Sequence, residues 1–171
     1  MRLNGETRTD TIRVSAPVDD PDVPMWSEVM HAMPDPASPD QAVLANVPFM
    51  VDGLNFGDLV RVGPEDECGV RPVLEVVVPS GCVHVLVAAD PDGAADLIAE
   101  LEELFPTWAL RIENGDGTLL SMSIHPDVDP DEVTGVVWAY LEAIEDFDPE
   151  LEEGPAIGPV CESAAGAIAG P

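Results

Sequence analysis

Asp92, Asp96, Glu100 and Glu103 recur at steps of four, four and three residues with no lysine or arginine among them. On a helix that spacing puts all four carboxylates on one face, with roughly 5–6 Å between neighbouring Cβ atoms, where like charges cost a few tenths of a kcal/mol per pair. Such a stripe does no covalent chemistry; what it offers is electrostatic complementarity to a cationic surface. A second acidic cluster, Glu142, Glu145, Asp146, Asp148, Glu150, Glu152 and Glu153, falls at and beyond the end of a later helix, where the macrodipole favours cations instead. Two unfavourable placements point to a basic protein partner. The competing reading is a solvated face, because an excess of acids this large scatters them into such places anyway.

The remaining reactive side chains form no complete constellation. Cys82-Val83-His84 puts a thiol and an imidazole two residues apart, on the same face if both lie in one strand. A nucleophile and base would need an orienting group and an oxyanion donor as well, and a cysteine beside a valine-rich strand is ordinarily inert core. His125-Pro126-Asp127-Val128-Asp129-Pro130-Asp131-Glu132 carries alternate carboxylates suited to a hard cation. Counted from Asp127, however, an EF-hand's sixth and twelfth positions hold Glu132 and Trp138 instead of glycine and glutamate. Helix capping explains the run better. Cys68, Cys82, His31, His84 and His125 fit no zinc spacing, and neither a phosphate-binding glycine loop nor a nucleophile elbow occurs. The reading therefore assigns no catalytic residue, no metal ligand and no cofactor.

These groups must be positioned by short, clearly punctuated elements. Thr11–Ser15 and Trp26–Met33 alternate with period two and read as strands, Pro34–Pro39 as a proline-rich loop, and Ala42–Val51 and Leu59–Val62 as two further strands about a Gly53–Asp58 turn. Val73–Val78 and Val83–Ala88, four residues apart, read as a hairpin. Asp90 can cap a helix with Pro91 at its first position and Pro106 beyond its end, its apolar residues falling at Ala94, Leu97, Ile98, Leu101 and Leu104. Trp108–Glu113 and Thr118–Ile124 flank Asn114-Gly115-Asp116-Gly117, the strongest hairpin signal in the chain. Asp129, Pro130 and Glu132 open a second helix running to about Asp146 with capping-box spacing.

The predicted fold class is α+β. A small, barrel-like β-rich part spans residues 11–70, and a ferredoxin-like ββαββα part spans 71–147 with two helices on one sheet face. Residues 1–10 and the acidic, then Ala/Gly/Pro-rich 148–171 are expected to be disordered.

Composition bounds the partners. The formal charge is -28 and all six basic residues are arginines, which disfavours phosphate backbones and anionic lipid surfaces. No apolar run is long enough to span a membrane and the first residues lack a signal-peptide core. Three widely spaced cysteines make no disulfide framework, so a cytoplasmic location is expected. The absence of lysine and plentiful Ala, Gly, Pro, Val and Asp are also what a biased genome or a salt-adapted protein would give.

Asn46-Val47-Pro48-Phe49, Gly53-Leu54-Asn55-Phe56-Gly57-Asp58-Leu59-Val60 and Pro79-Ser80-Gly81 ahead of Val83-His84-Val85, in that order and spacing, resemble a bacterial family catalogued as domain of unknown function 4265. The likeness covers roughly residues 10 to 150. It implies a compact α+β protein and no established activity, so it carries over no catalytic residue. The function expected is that of a noncatalytic acidic binding or regulatory protein, inhibitor- or immunity-like, meeting a basic protein through Asp92, Asp96, Glu100 and Glu103. Two alternatives stand beside it. One is a small-molecule or metal-binding enzyme with a site between the two halves, using Cys82, His84, Asp58 or His125; the other is a carrier whose tail around Cys161 is modified or cleaved.

Overall fold

A meander with an odd number of strands brings its first and last strands back in the same direction, so it can close only through a parallel pair. The computed structural model, which describes residues 11–18, 27–115 and 118–143, has that topology in its first part. Strands β1 (Ile12–Pro17), β2 (Ser27–Asp35), β3 (Ser38–Leu44), β4 (Leu59–Val62) and β5 (Val70–Val78) pair antiparallel in succession. β1 then closes the barrel parallel to β5, with Arg13 opposite Val70 and Ser15 opposite Pro72. Period-two alternation turns Val14, Ala16, Met30, Ala32, Ala42, Leu44, Val60 and Val62 inward, and these side chains fill the interior.

Two β-bulges bend β5. Val60 faces Val76 while Leu59 faces Val78, and Arg61 faces Glu75 while Val62 faces Val73, so Val77 and Leu74 are the extra residues and both are exposed. Each bulge adds a local kink and twist, which helps five strands curve into a closed ring.

The second part comprises β6 (Val83–Ala88), α1 (Pro91–Leu104), β7 (Leu110–Asn114), β8 (Leu119–Ile124) and α2 (Pro130–Ala143). The antiparallel sheet has the order β6-β8-β7. Val85, Val87, Leu110, Leu120, Met122 and Ile124 form one core with Ala94, Leu97 and Leu101 of α1 and Val133, Val137 and Leu141 of α2. The chain divides between Pro79 and Ser80, except that Val47–Phe49 clusters with the later unit.

The fold is thus mixed α+β, with eight strands in two sheets and two helices among the described residues. Three local expectations need correction. The hairpin of Val73–Val78 with Val83–Ala88 does not form: β5 pairs with β4 and β1, and β6 pairs with β8. The reason is burial, since Val73 and Val76 pack against the barrel core while Val85 and Val87 fill the helical one. The later unit accordingly reads βαββα, not ββαββα. Pro34–Pro39 is no loop; β2 continues to Asp35 and β3 starts at Ser38. Asp35 Oδ1 accepts from Ala37 N at 2.8 Å to hold the turn, and Pro34 stands at a register shift, a position that tolerates proline. Finally, the strand expected over Ala42–Val51 stops at Leu44, where Leu44 N donates to Asp58 O at 2.9 Å and Gly57 N to Leu44 O at 3.0 Å. Gly57, at φ 84, supplies the left-handed residue for that turn. Residues 1–10, the tail 148–171 with Cys161, and the cluster from Glu145 to Glu153 lie outside the described residues.

Candidate partner-binding surface

α1 is built by its cap and its apolar period. Asp90, in extended backbone, accepts from Asp92 N at 3.1 Å and Gly93 N at 2.9 Å, and Pro91 occupies the first helical position, where a missing N–H costs nothing. A Cβ at Gly93 would lie 3.0 Å from Asp90 Oδ2, so the glycine lets the capping carboxylate close over the helix end. Gly93, Ala94, Leu97 and Leu101 are buried. Asp92, Asp96, Glu100 and Glu103 consequently face outward, and all four are exposed.

No basic residue lies in the last turn of either helix. Arg111 is the sole arginine of the second unit among the described residues, and its Nε and Nη2 donate to Glu113 Oε1 at 3.1 and 3.0 Å. The potential beside the stripe registers on α2: partial burial first, then the charges of Asp96, Asp90 and Glu100, push the Tyr140 phenol above its ordinary 10.0. The four residues named from sequence therefore form one exposed acidic face, which Asp90 extends.

The other reactive groups are not brought into a working array. Cys82 precedes β6 and its N–H donates to Ser80 Oγ at 3.3 Å, whereas His84 Nε2 meets Ser121 Oγ at 2.7 Å. Ser121 in turn donates to the carbonyl oxygen of Pro48. A carbonyl can only accept, so the single serine proton is committed there and the imidazole is the donor to Ser121 Oγ. A serine nucleophile needs the opposite polarity, and Ser121 is fully buried. Sequence reasoning missed this clasp because the serines of β8 look like a solvent face; the only hint was that both are small and uncharged.

Asp58 is also buried, holding its own turn by accepting from Asn55 N at 2.8 Å. His125 Nδ1 accepts from Asp127 N at 3.2 Å, and its ring meets Trp108 edge-on at 5.4 Å. Asp129 Oδ1 accepts from Asp131 N at 3.0 Å at the start of α2, the capping role expected of it. His31 is exposed on β2 and Cys68 is exposed ahead of β5. Among the described residues no group of three or more His, Cys, Asp or Glu side chains could hold a metal ion, and no helix is long and apolar enough to cross a membrane.

The chain is similar in fold to a solved structure titled as a novel crystal structure of a hypothetical protein from Neisseria gonorrhoeae. The two share 20% identity at a TM-score of 0.60, over 78% of this chain and 89% of that one. No curated protein matches. Residues 28–145 match the family described as Domain of unknown function (DUF4265), the family to which the turn and strand motifs had pointed, and the chain belongs to it.

Proposed function

We propose that this protein is a noncatalytic binding or regulatory factor that presents Asp92, Asp96, Glu100 and Glu103 to a basic protein, as an inhibitor or immunity-like protein does. The observation that carries the reading is the placement of these four carboxylates, all exposed, on one face of α1, with no basic residue in the helix's last turn. The scaffold favours recognition too: α1 is fixed along one side by a continuous core, so the stripe is presented with little conformational entropy left to lose on binding. Its β-α-β-β-α element order supports the ferredoxin-like reading of this unit. Free thiols at Cys68 and Cys82 suit action in the reducing cytoplasm.

The test is capture from native lysate by the wild type and by a D92K/D96K/E100K/E103K variant, at low and at moderate salt. A specific basic protein should be retained by the wild type, released as the Debye length falls from about 30 Å at 0.01 M to about 8 Å at 0.15 M, and not retained by the variant. Equal capture by both proteins would refute the proposal.

A further inference from the structure

The side of α1 facing β7 carries an opening that the stripe does not use. In the order β6-β8-β7, β7 is an edge strand. His125 N donates to Ala109 O and Gly115 N to Leu119 O, each at 2.8 Å, which fixes the odd-numbered residues of this segment as those whose backbone faces β8. In an antiparallel ladder the alternate residues turn their N–H and C=O groups the other way. Leu110 and Ile112 thus aim two donors and two acceptors off the edge, with no partner for them among the described residues.

Beside this edge lies a small recess of about 110 Å³, open to solvent and lined by Leu101, Glu102 and Phe105, by Thr107, and by Leu110 and Ile112. Leu104 and Trp108, in the same α1-to-β7 connection, are 55% and 62% exposed. Free ladder groups next to a recess walled by both apolar and polar side chains are what strand addition requires: the main chain supplies hydrogen bonds and a pocket selects an alternate side chain. Charge then narrows the occupant. Glu102 is on the wall, the last turn of α1 has no basic residue, and the helix C-terminus itself favours a cation. Arg111, also on the wall, has its charge matched by Glu113 at 3.0 Å.

We propose that the groove between α1 and β7 binds an extended peptide segment of a partner protein as an added strand, with a bulky apolar side chain in the recess and a lysine or arginine beside it facing Glu102. This site is separate from the stripe and does not depend on it.

The test is selection from a random-peptide display library on the full chain, followed by calorimetry and amide-shift mapping with the selected peptides. Those peptides should pair a bulky apolar residue with a basic one and shift amides around Leu110–Ile112 and Leu101–Phe105. Affinity should fall roughly tenfold or more in Glu102→Lys, at an exposed position, and in Ile112→Pro, which removes an N–H outside the β7–β8 ladder. N-methylation of alternate peptide amides should abolish binding with the protein unaltered. Neutralising the stripe as D92N/D96N/E100Q/E103Q should leave binding within a few-fold, so failure of the groove and failure of the stripe are distinguishable. Selection without a binder, shifts elsewhere, indifference to Glu102→Lys and N-methylation, or a dimer of this chain that excludes the peptide would each overturn the proposal.

Discussion

Ser121 holds two groups at once, the His84 N–H and the Pro48 carbonyl. Ser121→Ala would remove the donor to the buried Pro48 carbonyl and one acceptor of the His84 ring, at a cost of about 1–3 kcal/mol, measurable as a lower urea midpoint with unchanged slope. Because His84 is already the donor to Ser121, charging its ring does not reverse this hydrogen bond. Tyr140 gives a second prediction, and as the only tyrosine in the chain it can be followed by phenolate absorbance alone. Its midpoint should lie above 10.0 and move part of the way back in Asp96→Asn, because burial is the larger cause and survives the substitution. The sign for stability follows: the folded state holds this proton more tightly than the unfolded state, so the contribution is complete below pH 10.0 and is lost as pH rises through the folded midpoint. Neither residue was legible as important beforehand. The Ser121 clasp spans 73 positions of sequence, and the Tyr140 environment exists only once the two helices pack.

At the scale of elements, what was legible is what local chemistry decides. Asp90-Pro91 and Asp129-Pro130 announce where α1 and α2 begin because a cap acts within its own turn, and Asn114-Gly115 announces the β7–β8 hairpin. Asp90→Ala should therefore cost about 1 kcal/mol, seen as a lower Tm. The stripe was legible for the same reason, since a spacing of four residues has one meaning on a helix. Strand pairing was not, because Val73–Val78 and Val83–Ala88 carry similar apolar patterns and only the core that each fills decides its neighbour. Bulges were likewise invisible: nothing about Leu74 or Val77 marks it as the extra residue until β4 is laid beside it.

For the whole molecule, a formal charge of -28 makes the folded state work against its own repulsion. Raising ionic strength from 0.01 to 0.15 M shortens the screening length about fourfold, so Tm should rise with sodium chloride and the rise should be smaller in the stripe-neutralised protein. A flat salt response in differential scanning calorimetry would mean that the acids are too dispersed to repel.

Val47–Phe49 belongs to the later unit although it lies between β3 and β4 of the earlier one. No single cut can therefore release both units whole: a fragment starting at Ser80 lacks the Pro48 carbonyl that Ser121 binds. The same arithmetic applies to inheritance. Two modules joined by a plain linker can be shuffled, duplicated or lost one at a time, but an exchange of either half here would strand three residues on the wrong side.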